Sequence, residues 1–70
     1  MKKQDNQRQD EQREIYFEFI SMGKQIRVAA IDPDSGAEVV IIAPASASQL
    51  DMQRIATAKL IRKMERDQIS

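Results

Sequence analysis

Three segments of the chain carry the residue pattern of β-strands. Glu14–Ser21 is rich in aromatic and β-branched residues, which favour strands; its Phe17 and Phe19 would share one face, because side chains alternate along a strand. Gln25–Ile31 has the same character. The third segment, Ala37–Ala43, contains the run VVII, which would place apolar groups on both faces of a sheet.

The first two strands are predicted to form a hairpin through a turn at Met22-Gly23, because glycine tolerates the positive φ that tight hairpin turns need. A two-residue loop at this place puts Ser21 opposite Lys24. The resulting register pairs apolar residues on one face and opposite charges on the other: Phe19 with Ile26, Phe17 with Val28, Ile15 with Ala30, and Glu18 with Arg27.

The segment Asp32–Gly36, DPDSG, predicts the turn between the second and third strands. Proline presets φ, Asp and Ser bond to nearby backbone N–H groups, and glycine takes the left-handed position at the end. A four-residue loop would turn one set of third-strand side chains toward the face of Phe17: Val39, Ile41 and Ala43. A three-residue loop would turn the other set there: Val40 and Ile42. The pattern favours the four-residue loop and leaves both open.

Pro44 ends the third strand, because proline has no N–H to donate to a neighbouring strand, and a helix is predicted to follow. Two capping boxes fit its start, in which a serine hydroxyl caps one free N–H and the residue three positions later reaches back. One pairs Ser46 with Gln49, and the other pairs Ser48 with Asp51.

The predicted helix has one apolar stripe on a helical wheel, which we expect to face the sheet: Leu50, Thr57, Leu60, Ile61 and Met64. Met52 falls on the opposite, exposed side in this assignment. Lys63 and Asp67 are spaced for a weak surface ion pair. We expect the helix to fray before Gln68.

The order of these elements predicts an α+β fold: a three-stranded antiparallel meander followed by one C-terminal helix (β-β-β-α), forming a single domain over residues 14–70. One helix covers only one face of a sheet, so the other face would expose a larger apolar patch than soluble monomers commonly carry. We therefore expect a homodimer in which this face is covered by a second copy. The residues predicted for self-association are Tyr16, Ile31, Val40 and Ile42.

The geometry of that dimer is open at this level. The two faces would stack, or the third strands would pair edge to edge, since this strand lies at the sheet edge and is uncharged from Val39 to Ala43. The alternative is a bent or swapped helix that covers the second face within one chain.

Length and composition support self-association. A chain of 70 residues buries so little surface that its free energy of unfolding is expected to be small. Such chains are usually stabilised further by disulfides, a structural metal or self-association. The sequence has no Cys and no His, which excludes disulfides and nearly excludes zinc.

Residues 1–13 are charged and polar, which predicts a disordered tail, or else a helical extension that orders on a partner. No segment resembles a signal peptide or a membrane span, so a cytoplasmic location is expected.

The residues that would carry catalysis all have a structural explanation. Without His or Cys, acid-base chemistry would fall to Asp, Glu, Lys or Tyr, and the two serines before the helix are needed as caps. A core this small leaves little room for a substrate cleft. The segment 32–38 spaces carboxylates somewhat as a calcium loop does, but it lacks a third ligand before the glycine and the final Glu. We expect no enzyme activity, no cofactor and no metal.

The charge distribution suggests a second surface. The net charge is zero, which argues against a generic nucleic-acid binder, but residues 48–70 carry five Lys/Arg against three Asp/Glu. The predicted partner-contact residues share one side of the helix: Ile55, Lys59, Arg62 and Arg66. That side is either an ordinary solvated face or a contact surface. The sequence thus predicts a small protein-interaction module; the alternative is a nucleic-acid-associated regulator that binds phosphate through this side, with steep salt dependence.

Three short stretches, EIYFEF, AIDPDSGAEV and APASAS, give the chain a resemblance to a family of short uncharacterised alphaproteobacterial proteins classed as a domain of unknown function. The resemblance covers roughly residues 14–66. It implies a bacterial, cytoplasmic setting and brings no activity, cofactor or site residue with it.

Overall fold

A computed structural model of the protein describes residues 14–69, which form three strands and one helix. In chain order these are β1 (Tyr16–Met22), β2 (Gln25–Ile31), β3 (Glu38–Pro44) and α1 (Gln49–Ile69). The strands lie in the order β1-β2-β3, with both neighbouring pairs antiparallel. This confirms the predicted β-β-β-α fold. The tail predicted at residues 1–13 lies outside the described residues.

The first hairpin differs in register from the sequence prediction. Met22 pairs with Gln25, so the loop is Gly23-Lys24, and Gly23 has a φ of 66°. Primed hairpin turns need a positive φ at the first loop position, and Gly23 occupies that position only when the turn starts after Met22. Every partner is therefore shifted by two residues from the prediction: Phe19 pairs with Val28, Phe17 with Ala30, and Glu18 with Ala29. An even shift keeps each side chain on its predicted face.

The second hairpin has the four-residue loop that the sequence favoured. The Asp32 N–H donates to the Ala37 carbonyl at 2.9 Å, and the Gly36 N–H donates to the Asp32 carbonyl at 2.8 Å. The Ser35 hydroxyl donates to the buried Asp32 carboxylate at 2.8 Å, and Gly36 takes the expected positive φ of 80°. Val39, Ile41 and Ala43 consequently share the face of Phe17.

The core lies between the helix and one face of the sheet, and it is built largely from small side chains. Its buried members are Val28, Ala30, Val39, Ala43, Met52, Ala56 and Leu60. Phe17 and Phe19, whose ring centroids are 6.4 Å apart, are only partly buried against this cluster. The helix contacts mainly β2 and β3, so the helix-facing side chains of β1 are incompletely covered.

The helix face that packs on the sheet is only partly the predicted one. Leu60 is fully buried and Met64 is partly buried, as expected, but Leu50 and Ile61 remain 57% and 44% exposed. Met52, which the sequence prediction placed on the exposed side, is 4% exposed. The alanines at the contact let the helix lie close over β2 and β3, and this position turns the Met52 side, rather than the Leu50 side, toward the sheet.

The structure decides between the two capping boxes. The Ser48 hydroxyl accepts a hydrogen bond from the Asp51 N–H at 3.0 Å, so Ser48 is the N-cap residue and Ser46 lies outside the helix. The predicted Lys63–Asp67 ion pair is present at 3.5 Å. The helix continues to Ile69, beyond the predicted point of fraying.

We expect Ser48→Ala to lower the free energy of unfolding by about 1 kcal/mol, because one N–H of the first helical turn loses its acceptor. Urea unfolding followed by circular dichroism measures the change. Ser46→Ala is the matched control: Ser46 is an exposed serine two positions earlier, and its replacement should leave stability within experimental error. Equal effects of the two changes would contradict the assignment of the cap.

Candidate interaction surfaces

The face of the sheet opposite the helix, called the open face below, is formed by alternate residues of all three strands. The two registers align these residues in four rows across the strands. The rows are Tyr16–Ile31–Glu38, Glu18–Ala29–Val40, Ile20–Arg27–Ile42 and Met22–Gln25–Pro44. The open face thus combines a majority of apolar side chains with three charged ones.

The apolar side chains of the open face are substantially accessible to solvent. Tyr16 is 53% exposed, Ile42 is 51%, and Ile20 and Met22 are 42% each. Ile31 and Val40 are half-buried by their neighbours in the sheet. The structure therefore brings together all four residues that the sequence predicted for self-association, and no element within residues 14–69 covers them.

The centre of the open face holds a large polar residue beside a very small apolar one. Arg27 is half-buried between Ile20 and Ile42 in its row, and within residues 14–69 it has no ion pair and no side-chain hydrogen bond. Ala29, two residues further along the same strand, is 0% exposed, so the larger side chains around it cover it completely. The sequence prediction had paired Arg27 with Glu18, but the shifted register places Ala29 opposite Glu18.

The free edge of β3 is partly blocked by the helix. The Asp32–Ala37 and Lys24–Ala45 backbone hydrogen bonds extend the β2–β3 ladder. The backbone N–H and C=O groups of the odd-numbered residues of β3 therefore point toward β2, and those of the even-numbered residues point away from the sheet. The outward carbonyl of Val40 accepts a hydrogen bond from the Lys59 ammonium at 3.1 Å. Pro44 has no N–H to offer. Natural sheets often use lysine and proline to protect an edge strand from pairing with another strand. The edge of β3, which the sequence predicted to be open and uncharged, is therefore partly protected from such pairing.

The four residues predicted for partner contact share one flank of α1, called the basic flank below. Ile55, Lys59, Arg62 and Arg66 are spaced four, three and four residues apart, which places them on one side of a helix. All four are exposed, Ile55 by 58%. The bond from Lys59 to Val40 shows that this flank lies above the edge of β3.

The opposite flank of α1 carries apolar residues that sequence analysis had assigned to the core. Leu50 and Ile61 lie on the side away from Lys59 and therefore toward β1, and both are exposed. Ile61 lines an open depression of about 1010 Å³ together with Ile15 and Met64. The sequence shows that apolar residues occupy a wide arc of the helix, but it does not show which part of that arc the sheet covers.

Three polar residues that line this depression, Ser35, Lys63 and Asp67, have partners within the fold. The Ser35 hydroxyl donates to the Asp32 carboxylate at 2.8 Å, and Lys63 pairs with Asp67. In the part of the chain that the structure describes, no group of three or more His, Cys, Asp or Glu residues is arranged to hold a metal ion. Nor is any helix there sufficiently long and apolar to span a membrane.

These features define a small α+β module, with one helix across one side of a three-stranded antiparallel meander. A family model described as Domain of unknown function (DUF6898) matches residues 12–67, and the chain belongs to this family. This match confirms the predicted resemblance to a family of uncharacterised domains. No match was found among curated proteins or among solved structures.

Proposed function

We propose that the protein is a non-enzymatic protein-interaction module that acts as a homodimer. Its open face would bind a second copy, and the basic flank of each helix would remain available to a protein partner. In this proposal the protein is a bacterial, alphaproteobacterial, cytoplasmic protein.

The exposed apolar side chains of the open face support this proposal most strongly. Four large apolar residues there are between 42% and 53% exposed, and they lie within one patch rather than scattered. Fully burying a large apolar side chain stabilises by about 1.5–3 kcal/mol, so covering the remaining exposed fraction of each would contribute roughly 1 kcal/mol. A second copy of the chain supplies the same number of apolar groups on a matching surface.

The basic flank supports the second half of the proposal. A twofold dimer would present two copies of Ile55, Arg62 and Arg66, an apolar residue bordered by guanidinium groups. Arginine can bind carboxylates through two parallel hydrogen bonds, so an acidic segment of a protein partner suits this surface. Lys59 would serve chiefly to protect the edge of β3, because its ammonium is bonded to Val40.

Catalysis is not part of the proposal, because two of the serine hydroxyls that could act as nucleophiles already have structural roles. The Ser48 hydroxyl caps the helix, and the Ser35 hydroxyl is bonded to Asp32.

Sedimentation velocity over a range of micromolar concentrations tests the homodimer. The wild-type protein should shift from its 8.0 kDa monomer toward twice that mass as concentration rises. Ile42→Asp should hold the protein in the monomeric form, because a carboxylate would be buried at the interface. Ile55→Asp is the matched control, an isoleucine of similar exposure on the helix, and it should dimerise like the wild type. A wild-type protein that stays monomeric throughout would refute the homodimer.

The alternative function is a nucleic-acid-associated regulator that binds phosphate through the basic flank. The alignment of Lys59, Arg62 and Arg66 on one flank favours it, whereas the zero net charge and the absence of a stacking aromatic on that flank weigh against it. Affinity for a labelled oligonucleotide that falls steeply with salt, by about 0.9 log units per log unit of salt for each neutralised phosphate, would support this alternative.

A further inference from the structure

The centre of the open face has a shape and a charge pattern that fit a second copy in one particular orientation. We propose that two chains stack open face to open face about a twofold axis that runs across the strands, between the row of Ala29 and the row of Arg27. Each Arg27 then lies over the partner subunit's Ala29 and pairs with the partner subunit's Glu18. This inference rests on the proposed homodimer and gives it a geometry.

The first step in the argument is the correspondence of rows. A twofold axis across the strands places the row Glu18–Ala29–Val40 of one copy over the row Ile20–Arg27–Ile42 of the other. It also places the row that begins with Tyr16 over the row that begins with Met22. Val40 therefore meets an isoleucine and Tyr16 meets a methionine. Methionine sulfur makes favourable contacts with aromatic rings, and each of the two contacts occurs twice in the dimer.

The second step is shape. Arg27 has the longest side chain in the middle of the open face, and Ala29 has the shortest and is fully buried. Packed sheets are about 10 Å apart and need interdigitating side chains to fill the space between them. In the proposed orientation the stem of each arginine lies over the position of the other copy's alanine, which has the smallest side chain of the face, whereas two arginine stems facing each other would hold the sheets apart.

The third step is charge. Glu18 is paired across the strands with Ala29, so it lies one strand spacing, about 4.8 Å, from the position over which the partner subunit's arginine lies. This distance is within the reach of the two side chains. Neither Arg27 nor Glu18 has an ion pair within residues 14–69. The dimer would contain two Arg27–Glu18 ion pairs, one on each side of the twofold axis. These pairs would be partly desolvated, and charge pairs in such a setting can contribute to affinity.

Other twofold arrangements fit the observations less well. A twofold axis parallel to the strands would place Arg27 over the partner subunit's Arg27, and like charges that face each other are unfavourable. Pairing through β3 would require the Lys59 ammonium to leave the Val40 carbonyl, and the strand would meet the missing N–H of Pro44. Charge complementarity therefore selects one orientation for the stacked faces.

The size of the open face sets the strength to expect. Three strands of seven residues span about 23 Å by about 14 Å. The area of this rectangle is well below the roughly 800 Å² of surface that each partner buries in a standard interface. The dimer should be weak, so the experiment is done at concentrations from low to high micromolar.

Charge reversal tests the pairing. Arg27→Glu and Glu18→Arg should each weaken self-association by at least ~10-fold, because each places like charges together twice. An equimolar mixture of the two variants should recover dimers, since a heterodimer contains two complementary pairs. Glu38→Arg is the control, a charge at the corner of the same face that faces no opposite charge in this geometry, and it should change the dimerisation constant by less than ~3-fold. Sedimentation equilibrium measures all four samples, and circular dichroism verifies that each variant is folded.

The outcomes separate this inference from the homodimer itself. Recovery of dimers in the mixture, with both single variants weakened, would support the geometry. If the wild type dimerises and the mixture shows no recovery, the pairing is refuted and the homodimer remains, with pairing through the free edge of β1 as the geometry to examine. A wild type without dimers would refute both. Should a reversal unfold the chain, Arg27→Gln and Glu18→Gln in a double-mutant cycle replace it, and additive effects would then refute the pairing.

Discussion

Replacing Leu60 with alanine should lower the free energy of unfolding by about 2–5 kcal/mol. Leu60 is 0% exposed and, within residues 14–69, belongs to a core cluster of seven buried residues, three of which are alanines. Its side chain packs between the helix and the sheet as part of this cluster. A single domain of this size has little stability to spare, so a large fraction of the variant should be unfolded at room temperature.

Urea unfolding followed by circular dichroism measures this loss, and the measurement should be made at one fixed protein concentration, because a dimer gains apparent stability with concentration. Ile61→Ala is the matched control, since Ile61 is the adjacent aliphatic residue of the helix and is 44% exposed. The control should lose less than about 1.5 kcal/mol, because part of this side chain is already in water. A control that loses as much as Leu60→Ala would mean that the helix presents a different face to the sheet.

Enlarging Ala56 to leucine should also destabilise the domain, by about 1–3 kcal/mol. Ala56 is 0% exposed and lies where the helix approaches β2 and β3, so the added atoms would push the helix away from the sheet. The loss should appear as a lower urea midpoint with little change in the slope of the transition.

The control for this experiment is Ala58→Leu, two residues away on the exposed side of the same helix. Leucine and alanine have similar helix propensities, so this change should leave stability within about 0.5 kcal/mol of the wild type. If Ala56→Leu were as stable as the control, the close approach of helix and sheet would be wrong. Together with Leu60→Ala, this pair of variants tests the helix position on which the assignment of exposed surfaces depends.

The two surfaces would act in combination if the proposals hold. Stacking the open faces buries the sheet centre and leaves both helices on the outside of the dimer, because α1 packs on the opposite side of the sheet. In the proposed orientation β3 of one copy lies over β3 of the other, so the two basic flanks, each above its own β3 edge, would lie along the same edge of the assembly, one on each helix. A partner with two acidic segments would bind such a dimer more tightly than a partner with one, provided that the linker between the segments spans the distance.

The candidate self-association surface was largely predictable from the sequence. Tyr16, Ile31, Val40 and Ile42 share a face because side chains alternate along strands, and the two turns preserve that alternation. The sequence did not predict that Arg27 would lack an ion pair within residues 14–69, because its pairing with Glu18 was predicted from a turn placed one residue too early. The basic flank was predictable from helical spacing alone, but the bond from Lys59 to Val40 depends on where the helix lies over the sheet.

Local patterns in the sequence by themselves determined the three strands, the place of the second turn and the division of β1 and β2 residues between two faces; they favoured the four-residue loop and narrowed the start of the helix to two capping boxes. Each of these follows from interactions between residues near one another in the chain, such as the Ser35–Asp32 bond or the capping bond at Ser48. Only the tertiary structure decided which part of the helix's broad apolar arc is buried. The physical reason is that Met52 and Leu50 are equally suited to a core by composition, and the choice between them depends on how closely the small side chains of distant strands allow the helix to approach.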